Sequence, residues 1–349
     1  MLTERKIERK IKMNDYVNKI GVSITDAINK INDLRAKDTL IFPIFTDLHT
    51  EDVDHIYVKK LVRALELITD NLEYDALINL GDNFRMLGRD IHISNEELKA
   101  RFERVFTAVY NAAKHPVINV NGNHDAPGTD FFKPDFWNDI TKGKYGNSMA
   151  VYGDEGCYYY IDYTEANTRL VVLSLPYDSD VEADMPTPLW GFGKKQLNWL
   201  RETALNIDKD VIILSHVPFW YKYFGDTEST LGVWTGSEAK KSYISALCGW
   251  IEDLDEAVSI IEEYDKRPGT KLVACLSGHM HTDSFWAPYE AKGERKNPLP
   301  CHQVVTTATC FTEDTELEIG ISIDVAVWTP SKGELNMIRI GDGEDRKVL

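Results

Sequence analysis

Two rhythms of apolar positions divide the chain. Over residues 1–37, Val17, Ile20, Ile24, Ala27, Ile28, Ile31 and Leu34 recur at helical spacing, which places them on one stripe of a helix. From residue 40 the apolar positions contract into short unbroken runs: LIFPIF (40–45), ALINL (76–80), PVINV (116–120), LVVLSL (170–175), VIILS (211–215) and LVACLS (272–277). Amphipathic stretches at 54–72, 95–114, 193–206 and 238–264 separate them. Continuous apolar strands alternating with helices predict a sheet covered on both faces. The end differs, because QVVTTATCF, LEIGISIDVAVW and ELNMIRIG read as strands, the last two joined by a turn at TPSKGE. No internal repeat or low-complexity linker interrupts the chain. The pattern predicts an N-terminal helical arm, residues 1–38, and one domain, residues 39–345, whose sheet is partly parallel and partly antiparallel. The arm packs on that domain; joining two copies into a homo-oligomer is its second reading.

Polar residues cluster where five of the runs end. LIFPIF runs into Thr46-Asp47-Leu48-His49, ALINL into Gly81-Asp82-Asn83, and PVINV into Asn121-Gly122-Asn123-His124-Asp125. VIILS runs into His216, and LVACLS into Gly278-His279-Met280-His281. Open α/β sheets bind ligands just beyond the carboxyl ends of their strands. Imidazole and carboxylate at such an edge suit divalent zinc, iron or manganese, and the motifs hold no thiolate that would favour softer ions. Residues two apart on extended backbone point the same way, so Asp47 and His49, and likewise His279 and His281, can face one site. Gly81, Gly122 and Gly278 let the backbone turn and come close to an ion.

Taken in order, D-x-H, G-D-N, G-N-H-D, H and G-H-x-H resemble the calcineurin-like metallophosphoesterase superfamily. The motifs span residues 47–281. The resemblance implies a four-layer α/β/β/α sandwich with two mixed sheets and helices on the outer faces. It also implies two divalent metal ions (Mn, Fe, Zn or Ni), one held by Asp47, His49, Asp82 and His281, the other by Asp82, Asn123, His216 and His279. Asp82 then bridges, offering two oxygens and a charge that offsets repulsion between cations about 3.5–4 Å apart. Two divalent ions less Asp47, Asp82 and a bridging hydroxide leave a small positive charge, suited to activating water and attracting a phosphoryl group. The implied activity is phosphoester hydrolysis by that hydroxide.

His124 resembles the family's catalytic histidine, which protonates the leaving oxygen or holds the phosphate. Asp125 either orients it or is a plain loop carboxylate. Many relatives carry an acidic residue, and the purple iron branch a tyrosine, where this chain has Arg85. Arg85 reaches a substrate phosphate or forms a surface ion pair, and Asn83, next to the bridging ligand, is a second substrate-binding candidate. The stretch 217–236, with Phe219, Trp220, Tyr221, Tyr223, Phe224 and Trp234, is a lid or base-stacking platform, or else a satellite core under a long loop. Leu197, Trp199 and Leu200 read as helix packing. Five of the nine histidines fall in the motifs, which argues against scatter; His55, His92, His115 and His302 read as surface or supporting residues.

Composition narrows the function classes. With 43% apolar and 27% charged residues over 349 positions, the chain can bury a large core. Its net charge of -17 disfavours long nucleic acid and, with it, a nuclease, but leaves nucleotides open. A small phosphoester is therefore the expected partner, monoester or diester, with the aromatic stretch inclining toward a nucleotide. A silent scaffold on the same fold is the alternative, which the presence of His124 and all seven ligands disfavours. Five cysteines without a CxxC argue for reduced thiols rather than a disulfide framework or zinc ribbon. No apolar run reaches the ~18 residues of a membrane span. The charged N-terminus, with Glu4 and Glu8, lacks a signal core, so the cytoplasm is the expected location.

Overall fold

The computed structural model describes residues 2–50, 52–84, 95–122, 125, 142, 145–153, 158–174, 191–219, 221–222, 253–292, 295–310 and 319–349. Helix α1 (Leu2–Leu34) leads to strand β1 (Leu40–Phe45), helix α2 (Ile56–Asn71), β2 (Leu77–Asn79), α3 (Asn95–Ala113) and β3 (Val117–Asn119). There follow β4 (Val151–Tyr152), β5 (Tyr159–Tyr163), β6 (Thr168–Val172), α4 (Gly193–Trp199), β7 (Asp210–Leu214) and β8 (Tyr221–Lys222). Next come α5 (Leu254–Asp265), β9 (Lys271–Ser277), β10 (Ser284–Trp286), β11 (Ala291–Lys292), β12 (Arg295–Lys296) and β13 (His302–Val305). The chain closes with β14 (Ser322–Thr329), β15 (Glu334–Gly341) and β16 (Arg346–Lys347).

Two mixed sheets carry the fold, in the orders β16-β15-β14-β1-β2-β3 and β10-β13-β9-β7-β6-β5-β4. In the first, β1, β2 and β3 are parallel, while β14 runs antiparallel to β1. In the second, β13, β9, β7 and β6 are parallel and β10, β5 and β4 are antiparallel additions. A short ribbon of β11, β12 and β8 stands apart.

The period of two along β1 sorts its side chains between layers. Leu40, Phe42 and Ile44 join Ile78, Leu214, Leu276 and Trp328 in a core between the sheets. Ile41 and Phe45 face the other way, packing with Ile20 and Ile31 of α1, Leu61 of α2 and Phe102 of α3. Across the molecule, Leu197 of α4 and Ile261 of α5 cover Val211 and Ile213 of β7. The layers are helix, sheet, sheet, helix, the predicted sandwich. The apolar stripe of α1 is buried in this body: Tyr16, Ile20, Ile24, Ala27 and Ile31 all lie in its core.

Local departures have local causes. The predicted strand from 303 stops at Val305: the Thr306 amide makes the last bond to β9, at Ser277, and the Thr309 amide then turns away to the Thr46 carbonyl. Of the strand predicted from 317, residues 317–318 lie outside the described residues; from 319 the strand begins at Ser322, after the Asp342 carboxylate has accepted the amides of Ile319, Gly320 and Ile321. Strands β4 and β5 follow no apolar run. There Tyr159 substitutes for an aliphatic residue, its hydroxyl bonded to the Asn119 amide and carbonyl, both at 2.9 Å, a buried aromatic with a satisfied polar tip. The predicted helix at 238–264 is described from Leu254, its earlier part lying outside the described residues. No helix among the described residues is long and apolar enough to cross a membrane.

Candidate metal centre

The ends of β1, β2, β7 and β9 interlock at one edge of the sandwich. The Asp47 amide donates to the Gly81 carbonyl at 2.9 Å, the His49 amide to the Asp82 carbonyl at 3.1 Å, and the Gly278 amide to the His216 carbonyl at 3.0 Å. These bonds hold a backbone that side chains ordinarily avoid. Asp47, His49, Asp82, His279 and His281 have positive φ of 51°, 41°, 53°, 69° and 54°. Left-handed backbone costs a residue with a Cβ roughly 1–2 kcal/mol. Only eight non-glycine residues adopt it among those described, and five of them are candidate ligands, which singles out this edge as the candidate functional one.

The side chains form two groups. Asp47, His49 and His281 converge in one, and Asp82, His216 and His279 in the other, with donor atoms in each group lying within 4.8 Å of one another. In the first, His49 Nε2 and His281 Nε2 face each other at 2.9 Å, close enough for at most one proton between two lone pairs. Asp47 Oδ1 lies 3.2 Å from His281 Nε2 and 3.7 Å from His49 Nε2. Asp82 Oδ2 stands between the groups, 3.1 Å from His216 Nε2 and 3.9 Å from His49 Nε2. Of these six residues, Asp47, Asp82 and His216 are wholly or almost wholly buried.

Neighbouring groups orient the donors. His216 Nδ1 lies 2.7 Å from the Leu80 carbonyl oxygen. That oxygen can only accept, so Nδ1 carries a proton, and Nε2 is the nitrogen that faces Asp82 and would meet a cation. Asp47 Oδ2 accepts from Thr46 Oγ1 at 2.7 Å and from the His279 amide at 2.9 Å, leaving Oδ1 as the oxygen that faces the histidines. Sequence reading passed over Thr46 and the Leu80 carbonyl: a threonine beside D-x-H is commonplace, and a backbone carbonyl has no residue signature.

Electrostatics fit cation sites. Burial opposes the charge on Asp47, yet His281 and His49 beside it hold its carboxyl well below the ordinary carboxylate range. Burial also works against a charged His216, but the Asp82 carboxylate outweighs it and raises the ring to about 9. His279 is pushed down to about 3 by burial and then by the charge on His216. His281 rises despite burial because Asp47 faces it. A proton beside Asp82 or Asp47 therefore occupies the place a divalent cation would take, and loading the site would expel it. The nitrogen and carboxylate donor set, its orientation by backbone, and the inward-facing Asp47 Oδ1 all suit divalent transition ions.

Other predicted residues fall variously. The Asp125 carboxylate, fully buried, accepts the Asn83 amide at 2.8 Å, Asn83 Nδ2 at 3.1 Å and the Gly122 amide at 3.1 Å. It staples the turn after β2 to the turn after β3, and burial together with the Asp82 charge raises it to about 7. Asn83 is itself buried with its amide engaged in that staple. Asn123, His124 and Arg85 lie outside the described residues, as do His92 and most of 217–236. Phe219 is described and is no platform: it is fully buried, stacked on Phe192 at 5.5 Å, because its amide and carbonyl are both bonded to the Gln303 side chain. His55 caps α2, His115 packs on Tyr74 and His302 stacks on Phe285.

Residues 42–283 match the family model described as calcineurin-like phosphoesterase. Among solved structures, the chain is similar to PhoD, at 12% identity and a TM-score of 0.46, over 89% of this chain and 72% of that one. It is also similar to a 5'-nucleotidase precursor from Thermus thermophilus, at 14% identity and a TM-score of 0.42, over 89% of this chain and 54% of that one. No curated protein matches it.

Proposed function

The chain belongs to the calcineurin-like phosphoesterase family, and from that premise we propose that it hydrolyses a small phosphoester at a pair of divalent cations. The observation that carries the reading is the placement of Asp82 Oδ2, which converges with His216 and His279 while lying 3.9 Å from His49 Nε2 of the other three-donor group. In this reading Asp47, His49 and His281 hold one cation, and His216 and His279 the other, with Asp82 serving both. Asn123 is proposed as a further ligand of the second. Cations there would supply Lewis acidity toward phosphoryl oxygens and a water of lowered pKa. The chain's own part is orientation and proton transfer. Leu80 orients the ring of His216, Thr46 fixes the rotation of Asp47, and Asp125 ties the turn after Asp82 to Gly122. His124 is proposed to protonate the leaving oxygen, and Arg85 to meet the phosphate. The net charge of -17 favours a small ester over long nucleic acid, and the aromatic stretch after His216 inclines the proposal toward a nucleotide.

The test is hydrolysis of p-nitrophenyl phosphate and bis-p-nitrophenyl phosphate by stripped protein after adding back Mn²⁺, Zn²⁺, Ni²⁺ or Fe²⁺. Turnover should require metal, vanish in Asp82→Ala and fall about 10²- to 10⁴-fold in His124→Ala. The preferred ester divides monoesterase from diesterase, and nucleoside monophosphates, cyclic nucleotides and sugar phosphates run alongside test the nucleotide preference. Tight metal binding without turnover of any of these esters would sink the proposal in favour of a scaffold.

A further inference from the structure

Four charged side chains stand behind the Asp47/His49/His281 group without belonging to it. Three of them, Asp324, Arg339 and Arg346, come from the C-terminal strands, beyond the family match at 42–283. Asp324 of β14 and Arg339 of β15 are register partners, and Arg339 Nε donates to Asp324 Oδ1 at 2.9 Å. Arg346 Nη2 donates to the other Asp324 oxygen, and its Nη1 donates to the Val305 carbonyl at 2.9 Å. Arg339 Nη2 then reaches Asp283 Oδ1 at 2.7 Å, with Arg346 Nη1 3.2 Å from the same oxygen. Two cations balance two anions. Such a network stabilises a fold no better than well-packed apolar side chains, so what it holds in place becomes the question.

It holds residues 305–307, in a segment that bonds two ligand loops. Asp324 Oδ2 accepts from Thr306 Oγ1 at 2.8 Å. Asp283 Oδ1 accepts the Thr307 amide at 3.2 Å, and Thr307 Oγ1 donates to the His281 carbonyl at 2.8 Å. Further along, the Thr309 amide donates to the Thr46 carbonyl at 3.0 Å, and the Thr46 amide donates to Thr309 Oγ1 at 2.9 Å. Thr46 in turn bonds Asp47. His281, with φ of 54°, has a backbone that must be held from outside, and the Thr307 hydroxyl holds it at its carbonyl.

We propose that Asp324, Arg339, Arg346 and Asp283, acting through Thr306 and Thr307, position His281 and so set the affinity of one of the two cations. None of them offers an atom to the ion; all are positioning residues. The inference rests on the reading of this edge as a two-cation site. Thr307→Val tests it most cleanly, since valine keeps the volume, removes only the hydroxyl, and leaves all four charges in place.

The experiment is calorimetric titration of stripped protein with Mn²⁺, with electron paramagnetic resonance on the same samples. Wild type should take two ions and show an exchange-coupled pair. In Thr307→Val one of the two ions should weaken about 10- to 100-fold, leaving the spectrum of an isolated Mn²⁺, and Thr307→Ser should restore the pair. Two ions of unchanged affinity in Thr307→Val would overturn the positioning role and leave the two-cation reading standing. Equal weakening of both ions would overturn the selectivity. Wild type that takes fewer than two ions would overturn the two-cation reading itself, and this inference with it.

Discussion

At the scale of single residues, the site depends on how closely backbone segments approach. Gly278 sits where a Cβ would fall 2.1 Å from Thr46 Oγ1 and 2.7 Å from Asp47 Oδ2. Both are the atoms that fix the rotation of Asp47, and Thr46 is itself held at both backbone ends by Thr309, so neither can retreat cheaply. Gly278→Ala should therefore destabilise the protein by about 1–3 kcal/mol, as overpacking does, read from the urea midpoint. An unchanged midpoint would mean that the loops carry slack the geometry does not show. Legibility at this scale followed chemistry. Asp47, His49, Asp82, His216, His279 and His281 could be read from residue type at strand ends, and the structure brings all six together. Asp125 could be found but not understood, since a carboxylate that accepts the backbone and side-chain amides of Asn83, about forty residues earlier, leaves no local trace. Asp324 and Arg339 lie in an apolar-patterned hairpin, where sequence offers no hint that their charges meet.

At the scale of elements, the apolar periods placed most of the architecture. The unbroken runs became parallel strands with buried side chains on both faces, β3 at a sheet edge and the rest within the sheets, and the period of three and four in the first 37 residues became α1. What the pattern could not tell was where strands stop, because Thr309 and Asp342 end them through long-range hydrogen bonds. Helix α1 offers a paired prediction. Ile20 is fully buried in the core beneath it, so Ile20→Ala should cost about 2–5 kcal/mol. Gly21, its neighbour, would meet nothing within 4 Å on gaining a Cβ, so Gly21→Ala should stabilise by about 0.5–1 kcal/mol through helix propensity alone. Chemical denaturation of both variants checks the pair. If Ile20→Ala were neutral, the helix would be an appendage rather than a layer of the body.

At the scale of the whole molecule, a chain of net charge -17 with 56 acidic residues gains one thing from mild acid: protonation relieves its self-repulsion. Acid should harm it where the fold holds carboxylates ionised or, as at His279, an imidazole neutral. Asp324 is such a group. Burial alone would raise it, but Arg346 and Arg339 outweigh burial and hold its carboxyl below the ordinary range. A carboxylate held lower in the fold than in the unfolded chain contributes fully above its unfolded value, near 3.9. That contribution is lost as pH falls through the folded value. The share of the urea midpoint that Asp324 contributes should therefore hold near neutrality and decline from about pH 4 downward. Asp324→Asn keeps the shape but leaves Arg339 and Arg346 without their shared anion, so it should be weaker at pH 7 by about 3–5 kcal/mol. It should also lose less on acidification, since the group that titrates is gone. Parallel acid slopes in the two proteins would assign the acid sensitivity to other carboxylates and would remove Asp324 from the linkage between charge and fold.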